Sequence, residues 1–208
     1  MNLRNLFYVI LWIDGNHENF DRLYSDEFPV LDFQGGKVHQ IRDNVLHLMR
    51  GHVFTLQDHT FFAFGGASSH DVIDGIYNLK GLELDTYGDL FATKSQLSRF
   101  QRSGMQFRIN HLSWWKEELP NDAELARGKK SLEKHHNSVD FVLTHCAPKA
   151  LINELGLDHI YPPDVLTEYL QELSEQISFK KWFLGHYHFN RNLGDKYIAI
   201  YEQIIQIL

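Results

Sequence analysis

The chain has 208 residues, 43% of them hydrophobic and 23% charged, with a formal net charge of −7. This composition excludes disordered and fibrous classes, and the length suits one α/β domain over residues 1–208, because two full domains would lack sufficient core. The acidic excess provides no general attraction to nucleic acid or to an anionic membrane, so any phosphate binding must be local. A single cysteine, Cys146, excludes an internal disulfide and agrees with a cytoplasmic location.

The first predicted element is a strand over residues 7–13. This run is continuously apolar and leads directly into Asp14-Gly15-Asn16-His17, which is typical of a strand covered on both faces. It is no signal peptide, since no small-residue cleavage site follows, and it is far shorter than the ~20 residues that span a bilayer. Asn19 is predicted to cap a short helix that runs to about Phe28.

The next segment, residues 35–67, has the pattern of consecutive short strands. Four β-prone runs alternate with Gly, Asp-Asn and Gln-Asp breaks, which predicts an antiparallel meander. The sequence Gly65-Gly66-Ala67-Ser68-Ser69-His70-Asp71 then opens a long polar loop. The four predicted strands are 38–41, 45–48, 52–56 and 60–64.

The second half alternates helices with buried strands. Asn121 and Glu124 form a capping-box pattern that predicts a helix from Pro120 to about His136. The pattern further predicts a strand over 140–144, a helix over 162–176, a strand over 181–184, a hairpin turn over 193–196, and one or two strands between 197 and 207. Two β-rich layers flanked by helices fit this series.

Residues suited to binding metal follow three of the predicted strands. Asn16 and His17 follow the first, His145 follows the strand 140–144, and Gly185-His186-Tyr187-His188 follows the strand 181–184. The His-x-His pair alone is weak evidence because the chain has 13 histidines, although Gly185 permits a turn in which both rings converge. Coherent ligand types at three strand ends predict a metal centre.

Several neighbouring residues have competing interpretations. Cys146 beside His145 is either a thiol nucleophile or, as we expect, a small buried hydrophobe. Trp114 and Trp115 form either a substrate wall or, more typically, part of the core. His70 and Asp71 lie in the loop that could overhang the site, which suggests contact with substrate. A serine hydrolase is disfavoured because no Gly-x-Ser-x-Gly elbow is present.

The order of Gly15-Asn16-His17-Glu18, Thr144-His145 and Gly185-His186-Tyr187-His188 resembles the calcineurin-like metallophosphoesterase superfamily. The segments 65–67, 114–120 and 144–148 further resemble a bacterial and phage branch of it. The resemblance implies an α/β/β/α fold, in which a two-layer β-sandwich is flanked by helices.

The resemblance also implies roles for individual residues. Asn16, His145 and His186 would bind the second metal ion, and His188 would bind the first. His17 would stabilise the transition state or protonate the leaving oxygen, and Glu18 would orient it. Two divalent ions, of Mn, Fe, Zn or Ni, would supply a metal-bound hydroxide that attacks a phosphomonoester or phosphodiester.

The chain departs from the family pattern at its start. The family's Asp-x-His and Gly-Asp-x-x-Asp motifs have no counterpart, so the bridging carboxylate is missing and neutral ligands alone should hold a hard dication poorly. We expect an N-terminally truncated fold, explained by a late start codon or a truncated gene. The alternative to a hydrolase is therefore a weak or inactive remnant that binds metal or a partner without turnover. The sequence indicates no oligomeric state.

Overall fold

Thirteen strands and five α-helices are present in residues 8–207, the part of the chain that this computed structural model describes. The strands are β1 (Ile10–Trp12), β2 (Val30–Phe33), β3 (Gly36–Arg42), β4 (Val45–Leu48), β5 (His52–Leu56), β6 (His59–Phe64), β7 (Ile76–Leu79), β8 (Phe91–Ala92), β9 (Arg108–Ile109), β10 (Phe141–Thr144), β11 (Lys181–Leu184), β12 (Arg191–Leu193) and β13 (Tyr197–Ala199). The helices are α1 (Phe20–Leu23), α2 (Lys94–Arg102), α3 (Asp122–Lys134), α4 (Lys149–Glu154) and α5 (Val165–Gln176), with a 3-10 turn at Lys116–Glu118.

The described strands form two main sheets. The first has the order β1-β4-β3-β2, in which β1 runs parallel to β4 and the other pairs are antiparallel. The second has the order β12-β13-β11-β10-β6-β5, and its centre, from β6 through β10 and β11 to β13, is parallel. The carboxyl ends of these parallel strands therefore lie along one edge, where ligand sites of α/β sheets commonly form.

The two sheets pack face to face. Val38, Leu46 and Leu48 from the first sheet share an apolar cluster with Phe54 and Ala63 from the second. On its other face the second sheet is covered by α3, α4 and α5, whose apolar residues surround fully buried side chains of the central strands. The protein is thus a mixed α/β structure, as predicted. No helix of residues 8–207 combines the length and the apolar character needed to cross a bilayer.

Most elements of the second half are confirmed, because their signals are local. The Asn121 and Glu124 side chains form the predicted capping box of α3, and Asp164 caps α5. β10 and β11 occupy the predicted positions, and β12 and β13 flank the predicted hairpin turn. Cys146 and both Trp114 and Trp115 are buried, as expected of core residues.

The first predicted strand is shorter and more exposed than its apolar run indicates. Phe7 lies outside the described residues, and β1 begins at Ile10, whose side chain is 46% exposed. The prediction of a strand covered on both faces is wrong, because Ile10 is exposed and Leu11 and Trp12 are only partly buried. Among the described strands, β1 has β4 as its one neighbour. The following helix, capped by Asn19 as predicted, ends at Leu23 rather than Phe28.

Two further predictions need correction. The meander is divided between the sheets: β3 pairs with β4 and β5 pairs with β6, but β4 and β5 lie in different sheets. The chain crosses between them at Gly51, where φ is 78°. The loop after Gly65 contains α2 and a small parallel arrangement of β8, β7 and β9. At the C-terminal end, strand structure stops at Ala199 in the described residues.

Candidate functional site

The ends of β1, β10 and β11 meet at one edge of the two sheets. The Gly185 amide, after β11, donates to the carbonyl of His145, after β10, over 3.0 Å. The His145 ring also packs against Gly15, after β1, so closely that a Cβ atom on Gly15 would lie 3.0 Å from Nε2. Glycine at position 15 therefore allows a side chain from the second sheet to reach the turn that carries Asn16 and His17.

The turn after β11 directs its two histidines differently. His186 and His188 both have left-handed backbones, with φ of 68° and 54°, a conformation that non-glycine residues adopt rarely and that is concentrated at functional sites. The His186 ring lies 5.1 Å from that of His145, centroid to centroid. The His188 ring instead stacks on Tyr201 at 4.8 Å.

A buried hydrogen-bond chain orients the Asn16 side chain. Its Nδ2 donates to Ser69 Oγ over 3.2 Å and lies 3.3 Å from His17 Nε2. The Ser69 hydroxyl donates in turn to the buried Glu118 carboxylate over 2.6 Å. Because both amide hydrogens face protein groups, the Oδ1 atom of Asn16 is left as the acceptor for a ligand. Neither Ser69 nor Glu118 was identified from the sequence.

Three charged groups surround His17 and the turn that carries it. Burial lowers the pKa of His17, the charge of Arg108 lowers it further, and Asp71 opposes both. Arg108 Nε donates to Asp71 Oδ1 over 3.0 Å, so these two residues form an ion pair beside His17. Glu18 interacts with the Gly15 backbone, and burial raises its pKa. The carboxylate that acts on His17 here is Asp71, and the orienting role of Glu18 stays a prediction.

The two facing imidazoles are neutral at pH 7. Burial lowers the pKa of His145 to about 4. Burial and then the neighbouring His145 lower the pKa of His186 to about 3. A neutral imidazole has a nitrogen lone pair, so each ring can accept a proton or a metal ion at the sheet edge.

The donor atoms fit a divalent transition-metal ion better than Mg²⁺ or Ca²⁺. The available set comprises Asn16 Oδ1 and the neutral rings of His145 and His186, and mixed nitrogen and oxygen donors of this kind suit Mn, Fe, Zn or Ni. Within residues 8–207, no three His, Cys, Asp or Glu side chains are grouped as a metal site. A four-ligand set that includes His188 is therefore not assembled in this conformation.

Beneath the site lies a buried charged network that sequence reasoning missed. Asp14, fully buried, accepts hydrogen bonds from His47 Nε2 over 2.9 Å and from Arg50 Nε over 2.8 Å. His47 Nδ1 lies 3.0 Å from Nδ1 of the buried His39. The available signal was an acidic residue placed between an apolar strand and a Gly-Asn turn.

No protein-family model, curated protein or solved structure matches this chain. The family suggested by the three motifs therefore stays a prediction.

Proposed function

We propose that this protein hydrolyses phosphate esters, either monoesters or diesters, with the help of divalent metal. The observation that carries the proposal is the meeting of three strand ends, which places an imidazole pair, an oriented amide oxygen and His17 at one sheet edge. Two sheets packed face to face, with helices on the outer face of the second sheet, also support the proposal, because the α/β/β/α metallophosphoesterase fold includes these layers.

The residues divide into proton-transfer and ligand-binding groups. Asn16, His145 and His186 would hold an ion, with His188 as the ligand of a second one. A bound ion would polarise the ester and lower the pKa of water at the site. His17, whose Nε2 lies 3.3 Å from Asn16 Nδ2, would donate a proton to the leaving oxygen. The Arg108 and Asp71 pair adds charge beside His17, where a phosphate group would be recognised.

A second candidate function is metal binding without turnover. Its support is the donor set itself: the rings of His145 and His186 are neutral, and the third donor is the amide oxygen of Asn16 and not a carboxylate. A hard cation prefers carboxylate oxygen, so a neutral set favours binding of a softer ion at the expense of two-ion chemistry.

Replacement of His17 by Asn separates the two candidates. We expect His17→Asn to lower the manganese-dependent hydrolysis of benzyl phosphate, whose alkoxide leaving group needs a proton, by about 10²- to 10⁴-fold, the usual contribution of general acid catalysis. Manganese binding, measured by electron paramagnetic resonance of the free ion, should be retained because His17 is not a proposed ligand. His136→Asn, at an exposed histidine outside the site, is the matched control and should leave the rate unchanged.

Two outcomes contradict the hydrolase. Manganese binding without any hydrolysis by the unmodified protein would favour the second candidate. If His17→Asn leaves the rate of hydrolysis unchanged, His17 takes no part in the reaction and the assigned site is wrong.

A further inference from the structure

A cavity adjoins the proposed phosphate site, and His186 belongs to both. It has a volume of about 260 Å³ and lies between the loop that carries His70 and Ile73 and the segment before α5 that carries Tyr161. Cys146 and Ile152 lie at its buried side. Because His186 is a wall of the cavity, a molecule whose phosphate is bound at the sheet edge can extend its alcohol portion into this space.

Aromatic rings form one side of the cavity. Tyr161 lies 4.8 Å from His70 and 4.9 Å from His186, measured between ring centroids. These separations are in the range at which rings contact one another in tilted and edge-on arrangements. The lining also includes Ile73, which is 80% exposed and therefore lies at the mouth of the cavity. Such walls favour a flat apolar group.

Charge and size restrict the occupant further. Among residues 8–207, no lysine or arginine lines the cavity. Its carboxylate, Asp164, accepts a hydrogen bond from the Thr167 amide over 2.8 Å as the cap of α5. A second phosphate group would therefore meet no cation here, and would lie near an anion. Pockets for drug-sized ligands have volumes of about 300–1,000 Å³, so this one suits a single ring.

We infer that the cavity binds the leaving group of the substrate, and that the preferred substrates are phosphate esters of an alcohol that carries one uncharged ring. This inference rests on the proposed function, because it assigns the phosphate of the same molecule to the site at Asn16, His145 and His186.

The test compares benzyl phosphate with methyl phosphate in the presence of manganese. Both have alkyl leaving groups, and only benzyl phosphate has a ring for the cavity. We expect Ile73→Trp, which places a large side chain at the mouth, to lower kcat/KM for benzyl phosphate at least tenfold and to change that for methyl phosphate less than twofold. Leu112→Trp, at a residue that is 53% exposed and outside the cavity, is the matched control.

A second variant tests the ring wall itself. Tyr161→Ala should show the same selective loss for benzyl phosphate, and Tyr8→Ala, at a tyrosine that is 65% exposed and not part of the lining, should not. Equal losses for the two substrates, or no loss for benzyl phosphate with Ile73→Trp, would overturn the inference while leaving the hydrolase proposal intact.

Calorimetric titration with benzylphosphonate, which is not hydrolysed, distinguishes failure of the ring-site inference from failure of the hydrolase proposal. If the protein hydrolyses neither ester but binds benzylphosphonate, and Ile73→Trp weakens that binding at least fivefold, the ring site is supported and the proposed hydrolase is wrong. If benzylphosphonate does not bind, or Ile73→Trp leaves its affinity unchanged, the ring site is wrong.

Discussion

At the scale of single residues, the turn that carries Asn16 and His17 is anchored by a buried anion. The Asp14 carbonyl accepts from the Gly66 amide over 2.9 Å, and its carboxylate accepts from His47 and Arg50. Burial by itself raises the pKa of Asp14, but the charge of Arg50 and the hydrogen bond from His47 outweigh it, so the pKa lies well below its ordinary value. The network thus keeps Asp14 ionised and joins β1 to the segment after β6.

Removal of one partner from this network should destabilise the folded protein. We expect Arg50→Met to lower the free energy of unfolding by about 3–5 kcal/mol, because it leaves a buried carboxylate short of its cation. Urea unfolding at pH 7 measures the change. Arg22→Met removes the cation of an ion pair with Glu27 that is exposed on both sides, and should have no measurable effect. Equal effects of the two substitutions would show that the buried pair contributes little.

At the scale of elements, β1 and the two residues before it form an apolar, partly exposed edge of the first sheet as the described residues build it. Tyr8, Val9 and Ile10 are 65%, 36% and 46% exposed, and β1 has one strand neighbour in the described residues, β4. An apolar edge strand is a template for pairing with a second chain. Its apolar run predicted burial because periodicity reports the character of the side chains and not the number of neighbouring strands.

A charge on this edge should reduce self-association. We expect Ile10→Lys to lower the aggregation of concentrated protein, measured by light scattering, with only a small change in the unfolding midpoint, because a lysine on an edge strand opposes pairing. Leu112→Lys introduces the same charge at a residue that is 53% exposed and outside the strands. If both variants reduce scattering equally, net charge and not the edge is responsible.

At the scale of the whole molecule, neutral histidines buried in different parts of the fold make its stability depend on pH. Burial lowers the pKa of His39 to about 4, and burial followed by the charges of Arg127 and Lys37 lowers that of His52 to about 4. In the unfolded chain both rings protonate near pH 6.5, whereas in the folded protein they do so near pH 4. The unfolded state therefore binds more protons in this interval, and stability falls as the pH falls.

The pH dependence can be assigned by substitution. We expect the thermal unfolding midpoint to decrease as the pH is lowered from 6.5 to 4, through the interval set by the pKa of His39 and His52. His52→Gln should make the decrease shallower, because glutamine does not titrate, and His136→Gln at an exposed position should not. If the unfolding midpoint of His52→Gln falls with pH as steeply as that of the unmodified protein, His52 does not contribute to the pH dependence of stability.

The sequence by itself determined the elements whose signals are local. The caps at Asn19 and Asn121 and the apolar runs of β10 and β11 depend on residues a few positions apart, so the pattern identified them correctly. The prediction that β1 is covered on both faces was wrong because it used the same local signals. The burial of β1 depends on strands elsewhere in the chain, which a local pattern does not report.

The tertiary structure alone decided how the site is arranged. Asn16 and Ser69 are 53 positions apart, and Ser69 and Glu118 are 49 apart, so no short motif could show that these residues hold the Asn16 amide nitrogen. Arg108 and Asp71 are 37 positions apart, and their effect on the pKa of His17 depends on the tertiary fold that brings them together. A strand end specifies which residue types are available, whereas the packing of distant segments sets their orientation, charge and protonation.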